Sequence, residues 1–318
     1  RRKNIRKRLN NMQRVIVTGG GGFIGSHLVD ELISMGVEVY VIDKSPKFKN
    51  PKAKYYPFDI CEDLSKYIST RVISKHMWGE MSLFHDIDVV FHLAAETSVQ
   101  ESIENPRLYH DTNVSGTLNV LNFALELGVK KLVFSSSSAV YGEPKYTPID
   151  ENHPLNPLSP YALSKAIGEQ YCALYSKMYN LSTICLRYFN AYGDRMNDVG
   201  AYRSVISVFK EQTKNKTALN IVNDGEQERD FVHVDDIVQA NILSALSKEN
   251  HSILNVGTGK GYSVNEIANM FGGEKKYGEK RIEPKFSIAE NNKIKDKLNW
   301  TPKGDLNKWI KLWKTSEL

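Results

Sequence analysis

Residues 17–29 read VTGGGGFIGSHLV, with Gly19, Gly22 and Gly25 three apart, directly after an apolar run and opening a helical pattern. The first glycine suits a tight turn, the second a close backbone approach to a pyrophosphate, and the third close packing of helix on strand. A second apolar run ends at Asp43, 18 residues past Gly25. A carboxylate there can accept hydrogen bonds from the adenosine ribose and would repel a 2′-phosphate, so the pattern predicts NAD rather than NADP, with Lys44 and Lys47 leaving NADP as the alternative. Gly21, where alanine would also serve, is expected only to loosen the turn.

Short β-branched runs at 14–20, 37–43, 87–95, 130–138 and 182–190 are predicted strands buried on both faces. Helical patterns separate them, and two of these, FIGSHLVDELISMG and NVSGTLNVLNFALELG, end on a glycine suited to a C-cap. The expected fold is α/β: a Rossmann-type doubly wound parallel sheet with a smaller, interleaved α/β substrate-binding domain. The expected division is a basic tail at 1–11, a cofactor domain from 12–187 with 232–257, and a substrate domain from 188–231 with 258–318. Residues 69–85 form a long connection whose pattern assigns no element.

The net charge of +5 would suit a nucleic-acid partner, but six basic residues lie in RRKNIRKRLNN; the rest has 36 basic against 37 acidic residues. The globular part is therefore nearly neutral, the tail reads as a solvated arm, and Met12 would serve as a native start. No nucleic-acid or membrane partner is expected, and the expected location is cytoplasmic. Cys61, Cys172 and Cys185 lie far apart without histidines at metal-ligand spacing, which predicts reduced structural thiols and no metal.

SPYALSK, residues 159–165, places Tyr161 and Lys165 four positions apart just after Pro160, a residue suited to the first turn of a helix. The two side chains should emerge on one face. On spacing alone they read equally as a tyrosine covering core with a lysine snorkelling beside it.

Seven segments in order, TGGGGFIGSH, FHLAAETSVQESIENP, NVSGTLNVL, SSSSAVYG, SPYALSK, LRYFNAYG and RDFVHVDD, resemble the nucleotide-sugar epimerases among the extended short-chain dehydrogenase/reductases. The likeness runs from Met12 to the C-terminus. It implies that Tyr161 is the catalytic base, that Lys165 is its partner and holds the nicotinamide ribose, and that Ser137, with Ser138 as the fallback, bonds the reacting sugar hydroxyl. It places NAD against Gly19, Gly22, Phe23, Ile24, Gly25, Asp43, Asp59, Ile60, Leu93, Ala94, Ala95, Asn113 and Lys165. It assigns a UDP-sugar to Ser98, Asn190, Arg229, Lys280, Glu283 and Ser287 together with the catalytic residues. A free phenol titrates near 10; a neighbouring ammonium and a positive nicotinamide ring would both lower it.

The implied reaction oxidises and re-reduces the sugar at C4 through a transient 4-keto sugar, so NAD stays bound. Ser287 stands where a bulky tyrosine would favour glucose and galactose, and its small size predicts UDP-GlcNAc/UDP-GalNAc interconversion, with UDP-glucose/UDP-galactose as a second pair. The rivals are a UDP-glucuronate 4-epimerase or decarboxylase reading its carboxylate through Arg203, and a 4,6-dehydratase, which would need an Asp-Glu pair where Ser138 and Ala139 stand. A non-catalytic NAD sensor tends to lack the tyrosine or lysine present here. A homodimer is expected through helices near 105–127 and 159–179.

Overall fold

The apolar runs come to rest in the middle of one sheet, where both faces are covered. The computed structural model describes residues 12–68, 70–74, 77–81, 83–196, 204–278 and 284–317, with backbone alone for 70–74 and 77–81. The basic segment 1–11, Arg203, Lys280 and Glu283 lie outside the described residues.

The chain begins β1 (Arg14–Thr18), α1 (Phe23–Ser34), β2 (Glu38–Ile42), β3 (Lys54–Tyr56), β4 (Thr70–Ser74), β5 (Met77–Met81) and β6 (Val89–His92). Next come α2 (Val99–Glu104), α3 (Pro106–His110), α4 (Gly116–Glu126), β7 (Lys131–Ser137), α5 (Pro160–Tyr179), β8 (Ser182–Tyr188) and β9 (Asn190–Tyr192). Then follow α6 (Val205–Lys214), β10 (Leu219–Ile221), β11 (Glu228–His233), α7 (Val234–Leu246), β12 (His251–Val256) and β13 (Gly261–Ser263). The last elements are α8 (Val264–Phe271), β14 (Lys275–Tyr277), β15 (Phe286–Ser287), α9 (Asn292–Leu298) and α10 (Leu306–Glu317).

Seven strands form the central sheet in the order β3-β2-β1-β6-β7-β8-β12, and every pairing is parallel. Strand order runs one way from β1 and the other way from β6, so the switch point lies between them. Alternate residues serve opposite faces. Val15, Val17, Val39 and Val41 pack with Leu28 and Leu32 of α1 and Ile237 of α7, in a cluster that Ile294 and Trp300 join from the end of the chain. Ile16, Tyr40, Ile42 and Phe134 face the other way, with Val120 and Leu121 of α4 and Cys172 of α5.

A smaller sheet is centred on β11, which pairs with β13, β15 and β9, while β10 pairs with β14. Its apolar cover includes Phe209, Phe231, Phe271 and Trp313.

The two glycine stops behave as expected: Gly36 after α1 and Gly128 after α4 take left-handed φ values of 84° and 68°. Residues 69–85, unassigned from sequence, contain the antiparallel hairpin β4–β5. One thiol departs from expectation: Cys61 is exposed, while Cys172 and Cys185 are buried, and all three are free. Among the described residues no helix is long and apolar enough to cross a membrane.

Candidate active site

The loops at the carboxyl ends of β1, β2, β3, β6, β7 and β8 carry most of the residues singled out from sequence, as expected for a parallel sheet with a switch point. At the end of β1, Gly19 turns with φ 69°, its amide donating to the Ile42 carbonyl at 2.9 Å. A Cβ on Gly19 would stand 2.6 Å from the Ala94 amide nitrogen, and one on Gly25 would stand 2.1 Å from the Gly19 carbonyl oxygen. The first glycine thus lets the turn lie against the Leu93–Ala94 strand end, and the third lets α1 close on the turn.

Gly22 differs, because a Cβ there would meet only the Gly19 oxygen, at 3.3 Å. It is the N-cap of α1 and contributes no side-chain cap, and the first turn holds no acid. The Phe23 and Ile24 amides therefore sit at the positive end of the helix without an intrahelical acceptor. An open cradle lined by such amides fits a dinucleotide pyrophosphate.

Gly21 does more than loosen the turn. Its amide donates to Asp43 Oδ2 at 2.9 Å, its carbonyl accepts from the Lys47 and Phe48 amides, and a Cβ would lie 2.3 Å from Pro46 Cβ. The 44–48 loop folds over it, so an alanine here would require Pro46 and its loop to shift. Asp43 also accepts from the Ser45 amide at 2.9 Å, which fixes its carboxylate at the end of β2.

Asp59 accepts from the Cys61 amide at 3.0 Å and pairs with Lys44 at 3.4 Å. Ile60 is buried beneath Gly116, with its carbonyl accepting from Asn119 at 2.9 Å.

Behind Leu93, Ala94 and Ala95 runs a buried chain of hydrogen bonds. The Ala94 amide donates to Thr18 Oγ1 at 3.2 Å, Thr18 Oγ1 lies 2.7 Å from His92 Nδ1, and His92 Nε2 lies 2.9 Å from Thr117 Oγ1. Thr117 spends its proton on the Asn113 carbonyl at 2.6 Å, so His92 must donate through Nε2 and accept at Nδ1. Burial, with Lys165 nearby, holds His92 down to about 3, which keeps this tautomer neutral.

Asn113 sits in a π-helical turn, Asp111–Ser115, that aims its amide at the Glu96 backbone (2.8 and 2.9 Å) and Ser164 Oγ (3.0 Å). Its side chain is 2% exposed, so it braces the wall from behind. Ser164 passes the contact on to the Tyr161 carbonyl at 2.7 Å.

Ser159 caps α5 by accepting from the Ala162 amide at 3.1 Å, and Pro160 occupies the first turn. Tyr161 and Lys165 then emerge one turn apart, and the serine run at the end of β7 meets them. Lys165 Nζ donates to the Ser135 carbonyl at 2.9 Å. Ser136 Oγ donates to Glu169 Oε1 at 2.6 Å. Ser137 Oγ accepts from the Ala139 amide at 3.2 Å, and Ser137 lies close enough to the Tyr161 side chain to favour its phenolate. Ser138 begins the 3₁₀ turn that follows.

Burial raises Tyr161, and the Ser137 hydrogen bond pulls the other way. The lowering expected from Lys165 does not contribute here: burial sets the direction, opposed by Ser137 alone. Lys165 is itself brought down to about 8 by burial, opposed by the charge of Glu169.

Ser98 caps α2 by accepting from Glu101, and its own amide donates to the Tyr109 hydroxyl at 3.0 Å. Tyr109, which sequence reasoning missed, is fully buried, with its ring edge-to-face to Tyr161 at 6.4 Å.

The smaller sheet gathers the remaining residues. Asn190, two positions past β8, is opposite Phe231 on β11 and donates to the Asp230 carbonyl at 2.9 Å. Arg229 is directly opposite Ser287 on β15, a pairing across 58 positions. Asp230 ties the loops together, accepting from Thr258 and Gly259 after β12 and from Ala289 after β15. Ala289 also bridges to Ile149, and with Val140, Tyr141 and Phe189 they form one small cluster at the turn that follows β7.

The model of the NAD dependent epimerase/dehydratase family matches residues 15–257. A protein of Methanocaldococcus jannaschii named putative UDP-glucose 4-epimerase is 41% identical over 309 residues, covering 93% of this chain and 96% of that one. The solved UDP-glucose 4-epimerase of Thermotoga maritima with UDP-glucose superposes with a TM-score of 0.85 at 35% identity, covering 94% of this chain and 97% of that one. The UDP-N-acetylglucosamine 4-epimerase of Methanobrevibacter ruminantium in complex with UDP-N-acetylmuramic acid also gives 0.85, at 34% identity over 96% and 99% of the two chains.

Proposed function

Because the chain belongs to the NAD dependent epimerase/dehydratase family, we propose that it is a UDP-sugar 4-epimerase using tightly held NAD. The observation that carries this reading is the meeting of Tyr161, Ser137 and Lys165 at the end of β7, on the same edge as the glycine turn. In this reading the cofactor lobe is 12–187 with 232–257, and the nucleotide-sugar lobe is 188–231 with 258–318.

Bound NAD supplies the hydride acceptor at C4 and a positive ring that favours the buried phenolate. Tyr161 takes the proton of the C4 hydroxyl, and Ser137, beside it, orients that hydroxyl. Lys165 spends one donor on the Ser135 carbonyl and has two left for the nicotinamide ribose. Inversion requires the 4-keto sugar to turn about its diphosphate linkage, so that its opposite face would be re-reduced while Tyr161 returns the proton to the C4 oxygen.

Arg229 and Asn190 are proposed to hold that diphosphate, a task suited to a guanidinium fork. Ser287, beside Arg229, leaves room next to C2 and supports UDP-GlcNAc/UDP-GalNAc as the preferred pair, with UDP-glucose/UDP-galactose second. Ser287→Tyr is expected to lower kcat/KM for UDP-GlcNAc about 100-fold and to leave UDP-glucose within a few-fold, since a filled pocket discriminates by roughly 1–3 kcal/mol. Unchanged turnover of the acetylated sugar would remove the case for this substrate.

A homodimer is proposed through α5, whose exposed Leu163, Leu174 and Met178 form one stripe near Ile103 of α2 and Leu108 of α3.

A further inference from the structure

One helical turn past Lys165, on the same face of α5, lies a carboxylate that the reaction does not use. Lys165 is 4% exposed, Glu169 3% and Arg187 2%. Arg187 on β8 grips Glu169 with two parallel bonds, Nε to Oε1 at 2.8 Å and Nη2 to Oε2 at 2.6 Å, and Ser136 Oγ adds a third at 2.6 Å. The Arg187 guanidinium lies 4.7 Å from the Tyr141 ring centroid, and the Tyr141 hydroxyl is anchored on Asn255 Oδ1 at 2.6 Å. Arg187 Nη1 has no hydrogen-bond partner among the described residues.

As a stabilising device this is an expensive choice. Removing two charges from water offsets most of their attraction, and well-packed apolar side chains of similar volume would hold helix and strand together as well. The position of the pair suggests another use. Ser135 and Ser136 contact Lys165 and Glu169 respectively, so one strand end is tied twice to one face of α5.

We propose that Glu169 is a positioning residue for the epimerase reaction: it locks α5 to the serine strand and keeps the Lys165 amine protonated, with Arg187 as the counter-ion that makes a buried carboxylate tolerable there. The groups around Lys165 support this. Tyr161 precedes it on its own helix, neutral His92 faces it from β6, and β7 offers the Ser135 carbonyl and the Phe134 ring, 5.2 Å away. On β8, Tyr188 is bonded to Ser135 behind the amine, and Arg187 is engaged with Glu169. Burial drives Lys165 towards its neutral form, and Glu169 supplies the charge that opposes this.

The inference rests on the proposed roles of Tyr161 and Lys165, and its test is the pH profile of kcat in the holoenzyme with UDP-GlcNAc or UDP-glucose. Loss of the Lys165 proton sets the alkaline limb in this account. Glu169→Gln keeps the shape and the hydrogen-bonding oxygen but removes the charge. It should move that limb about one pH unit lower, the usual reach of one close opposite charge. Ser136→Ala keeps the charge and should leave the limb in place.

A Glu169→Gln limb at the wild-type position, or an equal shift in Ser136→Ala, would reduce the pair to a packing feature. If Glu169→Gln does not fold, Glu169→Gln/Arg187→Met leaves no orphaned charge and should move the limb down by less than one unit, since the Arg187 cation is removed with the carboxylate; an unmoved or raised limb there overturns the proposal. Failure of the underlying function looks different: wild-type protein would then epimerise neither sugar.

Discussion

Replacing Tyr161 by phenylalanine is expected to lower kcat by about 1,000-fold, within the range that one positioned general base contributes. The variant deletes one hydroxyl and keeps the ring. Packing against Tyr109 is edge-to-face, so it survives, and the Ser164 bond runs to the Tyr161 carbonyl, so the helix start survives too. What disappears is the hydroxyl beside Ser137, and with it the proton acceptor itself. The unfolding midpoint, retained NAD and KM should therefore stay close to wild type while kcat collapses. A kcat within tenfold of wild type would show that another group takes the C4 hydroxyl proton. The expected pattern, lost rate with kept binding, separates chemistry from folding.

The glycine turn should give the second large effect, and two neighbouring alanines should give opposite kinds of failure. Gly25→Ala drives a methyl to 2.1 Å from the Gly19 oxygen and 2.8 Å from Gly20 Cα. The Gly19 oxygen also accepts from the Gly22 amide at 3.1 Å, so the turn cannot yield without opening. Overpacking of this kind costs roughly 1–3 kcal/mol, so the unfolding midpoint of the apoprotein should fall by about 5 °C. Little NAD should survive purification.

Gly22→Ala meets only one protein atom, at 3.3 Å, and the backbone there, φ −83° and ψ −173°, suits alanine. Its apoprotein should unfold as wild type does, while NAD affinity falls by about tenfold, because the methyl occupies the path of the pyrophosphate. Calorimetric unfolding and NAD titration of the two apoproteins would check this. If Gly22→Ala binds NAD as tightly as wild type, the turn is not the pyrophosphate seat.

Much of this arrangement was legible because it is local. A buried parallel strand appears as a β-branched run, and a helix stop as a glycine; Gly36 and Gly128 both adopted the left-handed turn that this predicts. Spacing alone left Tyr161 and Lys165 open between core packing and chemistry, and Ser137 came only from the likeness to the epimerases; the structure brings the end of β7 and the start of α5 together. What escaped depends on distant pairing. Glu169 could have been noticed from its spacing to Lys165, but Arg187 was hidden inside an apolar strand, and only the β7–β8 register brings it beneath Ser136.

The Gly21 restriction came from Pro46, whose loop has no periodic pattern to read. His92 read as part of a strand, and its role in linking Thr18 to Thr117 needs residues 74 and 25 positions away. The pairing of Arg229 with Ser287 was equally out of reach, since no alternation in the sequence sets that register. The strands at 70–74 and 77–81 show the limit from the other side: they pair antiparallel with no period-two pattern to announce them.

The central claim is that C4 is inverted by an internal hydride exchange with cofactor that never leaves. It is tested most directly by giving the purified protein UDP-GlcNAc deuterated at C4, without added NAD, and following both epimers by proton NMR. The account predicts UDP-GalNAc that keeps its deuterium at C4. A product that has exchanged that deuterium for a solvent proton, or no conversion of either UDP-GlcNAc or UDP-glucose even when NAD is supplied, would contradict it.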